Sequence, residues 1–461
     1  MSSLFGSLSI AVRSLLAQEG ALDVTSNNIA NVNTPGYSRQ LPILTEAPPL
    51  DTGQISIGNG VDFEGVQSVR DNILELRIDQ ETQQQNRLES YVNSMNQVQS
   101  LFNETEGAGL SEALNQFFSS FQQLADNPTD IPTRQAVISA GQDLASAFQQ
   151  TGQQLNAIQR GLDQQVGQTV AEINSDASQL ASLNQQITSF QGNSEQAGML
   201  QDQRYSVLNS LSQLVDAAVT YINDGSLTIT TGNGVPLVAG GQSFALGTAA
   251  NPSTGFQDIF SQGNDVTSSF TGGQLAGLLE ARDQAIPSAL SNLDNLAAGL
   301  INAVNTQSWK GYDLDGAKGG NFFQPVVQPS PGSNAGAAEN MAVAITDPSL
   351  IAASSDGTRG SNGNALALAN IQNQAVVNGQ TVTDYYSDLV STVGNEVSSA
   401  TDEQEAVGLV LTQLQNQRSD ISGVSLDEEA ANLIRYQRAY EAAAEVVAAI
   451  NTLTNDFLQT V

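Results

Sequence analysis

The chain has 461 residues, with 47 acidic against 15 basic side chains and a formal net charge of −32. Such a polyanion is repelled by phosphate backbones and anionic lipids, so we expect neither nucleic acid nor a membrane surface as a partner. The sequence contains no cysteine and no histidine, which excludes disulfides and Ser-His-Asp or Cys-His catalysis and argues against a zinc site. No cofactor is expected.

The first predicted element is a helix with a seven-residue apolar repeat, which is typical of helices that pair along their length. Four asparagines follow, and a Pro-Gly pair then ends the helix. We interpret the repeat as an inner seam with the C-terminal helix, and the asparagines as groups that fix register against adjacent subunits. The alternative is that the asparagines only face solvent. The predicted interface residues here are Leu8, Leu15, Leu22, Asn27, Asn28, Ile29, Asn31, Asn33, Pro35 and Gly36.

Apolar residues recur at helical spacing in four middle segments, which predicts a bundle of long helices. These segments are residues 88–124, 132–190, 286–304 and 386–414. The second of them would reach about 85 Å at the rise of an α-helix, so the helices are expected to form rods. Residues 218–270 contain short β-branched runs and turn signals, and residues 310–360 are rich in Gly, Pro and Ser. We interpret these two stretches as one β-rich domain that the third helix interrupts.

Residues 422–461 give the strongest helix signal of the chain, with two apolar heptad positions. Ser425 and Glu428 have the spacing of a capping box at its start. Alanine and valine residues widen the apolar surface beyond what one partner helix can cover, which favours contacts with other subunits over an intrachain bundle alone. The predicted interface residues here are Leu433, Tyr436, Tyr440, Val447, Ile450 and Phe457.

These elements predict a mainly α protein with a β-rich insertion, arranged as nested domains. The two terminal heptad helices are expected to pair, which brings the ends of the chain together and directs its middle outward. The predicted domains are a terminal coiled coil (residues 1–47 and 424–461), a long-helix bundle (48–217, 271–309 and 361–423) and an outer β-rich domain (218–270 and 310–360).

Acidic clusters raise the question of catalysis. Residues 402–405 and 427–429 contain paired carboxylates of the kind that a glycosidase needs. Both clusters are predicted at helix starts, where the helix dipole favours negative charge, so we interpret them as caps. Residues 313–316 resemble the start of a calcium loop, but Lys318 and Gln324 occupy positions where an EF-hand has Gly and Glu, so a plain Asp-Gly turn is predicted. We therefore expect no metal site and no enzymatic activity.

Several segments resemble a known family. Residues 21–40, ALDVTSNNIANVNTPGYSRQ, resemble the N-terminal motif of the bacterial flagellar axial proteins, which include rod, hook and hook-associated proteins. The ending GYSRQ and residues 422–451, SGVSLDEEAANLIRYQRAYEAAAEVVAAIN, are similar to the hook-associated protein 1 family. GGQLAGLLEARDQ (272–284), GYDLDGAKGGNFF (311–323) and ITDPSLIAASS (345–355) resemble the same family. The alternatives are another axial protein, such as hook-associated protein 3, a carboxylate-dependent cell-wall hydrolase, or a secreted coiled-coil effector.

The resemblance implies a structural protein that adapts the flexible hook to the rigid filament of the bacterial flagellum. It implies as partners the hook protein, hook-associated protein 3, an export chaperone on the C-terminal helix, and further copies of the chain in a ring layer. The sequence contains no secretory signal and no apolar segment of the about 20 residues that span a membrane, which by itself predicts a cytoplasmic protein. The resemblance instead implies an extracellular location after type III flagellar export of the unfolded chain. It also implies terminal segments that are disordered until assembly, which agrees with the little apolar surface that one such helix can bury alone.

Overall fold

A computed structural model describes residues 2–34, 36–51, 56–103, 109–190, 194–222, 224–330 and 332–460. Within these residues the fold is mainly helical, as the sequence predicts. The α-helices are α1 (Ser2–Ala30), α2 (Asn72–Phe102), α3 (Leu110–Asp126), α4 (Ile131–Ser189), α5 (Ser194–Leu214), α6 (Gly273–Glu280), α7 (Ile286–Ser308), α8 (Gly363–Ala369), α9 (Val382–Ser422) and α10 (Leu426–Thr460).

The strands form short antiparallel sheets. In the described residues, β1 pairs with β4 and β2 with β3, and the other strands form a four-stranded sheet, β5 to β8 in sequence order, and a three-stranded sheet in the order β11-β10-β9. The strands are β1 (Gln40–Glu46), β2 (Leu50–Asp51), β3 (Ser56–Ile57), β4 (Val61–Ser68), β5 (Ala217–Tyr221), β6 (Leu227–Thr231), β7 (Pro236–Ala239), β8 (Gln242–Ser243), β9 (Leu246–Ala250), β10 (Gln257–Ser261) and β11 (Asn264–Asp265).

The helix α4 is the longest element, at 59 residues, or about 90 Å at 1.5 Å per residue. Its start is fixed by Asp130, whose carboxylate accepts the backbone N–H of Thr133 at 3.0 Å, with Pro132 in the first turn. The β-rich insertion is fastened to α4 by two asparagines. Asn174 bonds to both backbone groups of Leu246 at 2.7 and 2.8 Å, and Asn184 does the same for Leu227 at 2.9 and 3.2 Å. The insertion therefore has a fixed orientation on the helix.

The hairpins predicted within residues 218–270 are confirmed. Gly225 and Gly234 have φ values of +80° and +85° in the turns that follow β5 and β6, the left-handed region that glycine adopts without strain. Asn223, which precedes the first of these turns, lies outside the described residues. The two sheets therefore form the β-rich part of a mainly α fold.

Residues 310–360 differ from the prediction, because their described part contains isolated β-bridges and no strand. The segment packs on the helices: Phe322 and Phe323 are buried against Phe117 of α3, with ring centroids 5.6 and 5.5 Å apart. The buried Arg134 of α4 donates to the carbonyl of Ile351 at 2.8 Å. A composition rich in Gly, Pro and Ser is typical of turns. The segment lacks the alternating apolar pattern that a strand needs, and its two adjacent phenylalanines pack into the helix bundle.

The segment 313–316 forms the predicted Asp-Gly turn. The Asp313 carboxylate accepts the backbone N–H groups of Asp315 and Ala317 at 2.9 and 2.8 Å, and Gly316 has a φ of +81°. Such bonds from an aspartate to the backbone two and four residues ahead are local turn chemistry. The carboxylate is therefore occupied within the turn.

The prediction that residues 402–405 begin a helix is wrong, because they lie in the middle of α9. The acidic cluster there does not act as a cap. Glu403 instead accepts from Gln84 of α2 at 2.9 Å and lies 3.6 Å from the Arg87 guanidinium. It thus forms part of the contact between α2 and α9.

Candidate assembly interface

The two terminal helices α1 and α10 pack against each other, as the heptad repeats predict. On α1, the repeat residues Leu8, Leu15, Leu22 and Ile29 are only partly buried. The fully buried residues are mainly small and include Ala17 and Ala21. The burial on α1 differs from the repeat because α1 has a second partner: the ribbon of β1 and β4 also packs on it.

The ribbon approaches α1 closely because α1 has small side chains on that face. A Cβ atom at Gly20 would lie 2.8 Å from the ring of Phe63 in β4, so any larger residue would displace the ribbon. Arg13 of α1 also pairs with Asp62 of β4 at 2.6 Å. The predicted boundary between residues 47 and 48 therefore falls inside a unit that extends to the end of β4. The division into three domains stays a prediction.

On α10, the predicted seam residues have different exposures. Ile450 and Ala443 are buried, whereas Leu433, Tyr436 and Val447 are partly buried and Tyr440 is exposed. The side chain of Phe457 lies outside the described residues. One helix therefore covers only part of the apolar surface of α10, and the role of these residues in subunit contacts stays a prediction.

Large apolar side chains remain exposed on both terminal helices. On α1, the exposed Phe5, Val12 and Leu16 occupy positions i, i+7 and i+11, which share one helix face. Leu16 is 60% exposed on α1, and Leu453 is 57% exposed on α10. The further exposed apolar residues of α10 are Leu426, Ile434 and Val446. We call this set the terminal apolar surface. Exposed apolar side chains that share a helix face, as the three on α1 do, mark contact sites.

The asparagines at the end of α1 form an elbow between this helix and β1. Asn28 is buried: its amide donates to the Gln40 carbonyl at 2.8 Å, and its oxygen accepts from the Gln40 backbone N–H at 2.9 Å and the Tyr37 hydroxyl at 2.8 Å. Asn28 thus pairs with Gln40 as a neighbouring strand would. Burial raises the pKa of the Tyr37 hydroxyl well above its ordinary range, and the negative charges of Asp202 and Glu429 raise it further. The hydroxyl therefore stays protonated and available to donate.

The other asparagines support the elbow from outside. Asn27 donates to the Gln40 side chain at 3.2 Å, and Asn31 donates to the Asn27 side chain at 2.8 Å. Asn33 is exposed, and Gly36 has a φ of +80°; Pro35 lies outside the described residues. Bonds from the four asparagines to adjacent subunits stay a prediction. Asn33 has its side chain directed to solvent, and Asn28 is occupied within the chain.

The elbow is tied to the junction between α9 and α10. The Arg39 backbone N–H donates to the Ser422 carbonyl at 2.8 Å, and the Arg39 guanidinium donates to Glu428 at 2.5 Å. The predicted capping box at the start of α10 is therefore only half formed. The Glu428 backbone N–H reaches the Ser425 hydroxyl at 3.5 Å, while the Glu428 carboxylate bonds to Arg39.

A buried charged cluster joins this elbow to the body of the protein. We call it the junction cluster, and at its centre the Glu75 carboxylate of α2 accepts from Arg418 of α9 at 2.8 Å and from the Tyr205 hydroxyl of α5. The Arg418 guanidinium also donates to the Gly36 carbonyl at 3.1 Å. The residues of the junction cluster are Arg70, Glu75, Asp79, Asp202, Tyr205 and Arg418.

Arg70 connects the junction cluster to the elbow a second time. It donates to the Ser38 hydroxyl at 3.0 Å and to Asp202 at 2.9 Å, and its guanidinium lies 4.4 Å from the Tyr205 ring centroid. Asp79 is buried beside Glu75, and one of its carboxylate oxygens has no hydrogen-bond partner among the described residues. Burial first and the charge of Glu75 second raise the pKa of Asp79 to about 7. The junction cluster therefore contains a carboxyl group that titrates near neutral pH.

Sequence reasoning missed both the ribbon contact and the junction cluster. One signal was available: Glu75 and Asp79 are four residues apart and lie among the buried positions of α2, where acidic side chains are costly without partners. The partners, however, come from distant α5 and α9. Among the described residues, no helix combines the length and apolar character of a membrane span.

Three segments of the chain match models of known protein families. Residues 8–37 match the family model of the flagella basal body rod protein, and residues 415–460 match that of the flagellar basal body rod FlgEFG protein C-terminal region. These segments contain most of α1 with the elbow and most of α10. Paired ends of this type define a flagellar axial protein. The middle of the chain, residues 95–323, matches the flagellar hook-associated protein FlgK helical domain.

Whole-chain relatives narrow the assignment. The chain is 30% identical to flagellar hook-associated protein 1 of Bacillus subtilis (strain 168), over 100% of this chain and 98% of that protein. It is also 30% identical to flagellar hook-associated protein 1 of Salmonella typhimurium, over 99% and 100%. The flagellar hook junction protein FlgK from Burkholderia pseudomallei has a similar fold, with a TM-score of 0.68 at 20% identity over 75% of this chain and 100% of that one. The chain belongs to the flagellar hook-associated protein 1 family and is a structural component of the bacterial flagellum.

Proposed function

We propose that the chain forms a layer at the junction of hook and filament, where it adapts the flexible hook to the rigid filament. The layer consists of copies of the chain side by side, with the hook protein on one face and hook-associated protein 3 on the other. The observation that carries the proposal is the terminal apolar surface, because both ends of the chain present apolar side chains that the described chain leaves uncovered.

The energetics support contact through these helices. Each large apolar side chain gains about 1.5–3 kcal/mol when it is fully removed from water. Among the described side chains, Leu16 and Leu453 are the most exposed leucines of α1 and α10, so neighbouring copies that cover both would gain several times the thermal energy per contact. The fold of α1, held by the ribbon and the elbow, keeps Leu16 on the outside.

The first prediction is that Leu16→Ser/Leu453→Ser abolishes incorporation into the junction. The expected loss is at least about tenfold, since the two leucine side chains would together gain more than about 1.4 kcal/mol when assembly covers them. Incorporation is measured by immunolabelling of hook tips in cells that carry only the variant chain. The matched control is Leu350→Ser/Leu366→Ser, two leucines 47% and 51% exposed away from the terminal helices. Normal incorporation of the terminal variant at equal secretion would contradict the proposal.

The second prediction concerns export, which we propose to occur in the unfolded state through the flagellar channel. The exposed apolar residues of α10, such as Ile434 and Leu453, need cover before assembly, and an export chaperone would supply it. Deletion of residues 424–461 is expected to abolish chaperone capture in a pull-down, while deletion of residues 2–30 leaves it unchanged. Retained capture by the first deletion would place the chaperone site elsewhere.

We also infer that the chain has no enzymatic activity. One carboxylate of each acidic cluster has a structural role: Glu428 pairs with Arg39, and Glu403 bonds to Gln84 and pairs with Arg87. A glycosidase instead needs two carboxyl groups that converge on a substrate cleft. Turnover of purified cell wall by the pure protein, above the background of a heat-treated sample, would contradict this inference.

A further inference from the structure

Most basic side chains of this acidic protein are engaged within the chain, whereas Arg77, Arg160 and Arg359 are exposed and form no ion pair among the described residues. Seven arginines pair with carboxylates, and the buried Arg134 and Arg204 donate to backbone carbonyls. The sequence contains two lysines, Lys310 and Lys318. Both are exposed, and neither has a carboxylate partner in the described part of the chain. The Lys310 ammonium donates to the Gln307 side chain at 3.3 Å, so both ammonium groups have neutral partners and could still pair with a carboxylate.

Lys310 directly follows the single tryptophan of the sequence, and Lys318 bonds to the Lys310 carbonyl. Trp309 is 60% exposed at the end of α7, and its indole N–H donates to Asn321 at 2.7 Å, which fixes the ring. The Lys318 ammonium lies 3.9 Å from the ring centroid of Tyr312 and donates to the Lys310 carbonyl at 3.3 Å. We call Trp309, Lys310, Tyr312 and Lys318 the basic–aromatic patch. An exposed, oriented tryptophan beside free cations is the composition of a contact hot spot.

A complementary surface occurs on α9 of the same chain. Asp402, Glu405 and Leu409 occupy positions i, i+3 and i+7, which share one helix face. All three are exposed, Leu409 by 74%, and neither carboxylate pairs with a basic group among the described residues. We call these residues the acidic stripe. No hydrogen bond or ion pair of the described chain joins it to the basic–aromatic patch.

We propose that the basic–aromatic patch of one copy binds the acidic stripe of the next copy. The two ammonium groups would pair with Asp402 and Glu405, and the Trp309 ring would cover Leu409. Because copies with a net charge of −32 repel one another, close packing requires cations at the contact. A contact between two different surfaces repeats from copy to copy and closes as a ring or continues as a helix. This proposal rests on one part of the proposed function, namely that copies of the chain lie side by side in a layer.

The single tryptophan reports the contact directly. In the full-length chain at low ionic strength, the emission maximum of Trp309 is expected to shift to the blue as concentration rises, because the partner removes the ring from water. Lys310→Glu/Lys318→Glu is expected to abolish this shift and to weaken self-association at least about tenfold in sedimentation equilibrium. An emission maximum that does not move up to the highest soluble concentration overturns the proposal.

A charge exchange identifies the partner surface. Asp402→Lys/Glu405→Lys is expected to weaken self-association equally, and the chain that carries all four substitutions is expected to regain it. Arg77→Glu/Arg160→Glu is the control for Lys310→Glu/Lys318→Glu, since it makes the same change in net charge at exposed arginines elsewhere. If the four-fold variant stays as weak as either double variant, the acidic stripe is not the partner. If the charge exchange fails while Leu16→Ser/Leu453→Ser still loses incorporation, the contact between the basic–aromatic patch and the acidic stripe is overturned and the proposed function stands.

Discussion

Replacement of Arg418 by methionine is expected to lower the free energy of unfolding by about 3–5 kcal/mol, because it leaves a buried carboxylate without its main partner. Glu75 is almost fully buried, and Arg418 is its closest cation at 2.8 Å, whereas Arg70 is 3.8 Å away. The same substitution removes the bond to the Gly36 carbonyl and so loosens the elbow. Denaturant unfolding of the full-length chain at neutral pH measures the change.

A control and a second substitution separate the ion pair from packing. Arg77→Met on the exposed face of α2 is the control and is expected to change stability by less than about 0.5 kcal/mol. Adding Glu75→Gln to Arg418→Met removes the uncompensated charge, so the double variant should recover part of the loss. A coupling between the two substitutions within about 0.5 kcal/mol of zero would contradict the role of the pair.

Replacement of Asp79 by asparagine is expected to stabilise the protein above neutral pH and to leave it unchanged near pH 4. Burial and Glu75 raise the pKa of Asp79 from 3.8 to about 7, so the folded chain holds a proton that the unfolded chain has lost. The stability that protonated Asp79 contributes is fully present below the pKa of this residue in the unfolded chain. It is lost as pH rises through about 7, the pKa of Asp79 in the folded chain. Since a tenfold change in proton affinity is about 1.4 kcal/mol, the gain at about pH 8 should be about 2–4 kcal/mol.

The measurement is the unfolding midpoint of wild type and of Asp79→Asn at low and at high pH. The difference between the two proteins at each pH is compared, because other carboxyl groups titrate in both. Glu89→Gln, at an exposed position of α2, is the matched control and should follow the wild type at both pH values. Equal stability of Asp79→Asn and wild type at both ends of the range would show that Asp79 is ionised in the folded chain without cost.

The long helices were predictable because each carries its apolar repeat locally. The stretch 132–190 is an example: it contains its own repeat and begins with a proline, and the helix α4 begins and ends within one residue of the prediction. The capping residue Asp130 lies just before this stretch. The hairpins of residues 218–270 were equally local, since Gly225 and Gly234 mark their turns. The pairing of the two ends followed from matching heptads on distant segments.

What could not be predicted depends on partners from distant parts of the sequence. The elbow asparagine Asn28 bonds to Gln40, and nothing in the repeat of α1 indicates that its small residues face a β-ribbon. The segment 310–360 shows the same limit, because its two phenylalanines join a core supplied by α3. The junction cluster needs α2, α5 and α9 together. The periodicity of the individual helices did not indicate these contacts.

Hydrogen exchange of α1 and α10, in the free chain and in the assembled junction, tests most directly whether the terminal helices are the assembly surface. We expect both helices to exchange rapidly in dilute monomer, because much of their apolar surface is uncovered there, and to become protected on assembly. The long helix α4, with its many buried residues, is the internal reference and should stay protected in both states. Protection of α1 and α10 that is already complete in dilute monomer and unchanged on assembly would contradict the account and move the subunit contacts to the body of the protein.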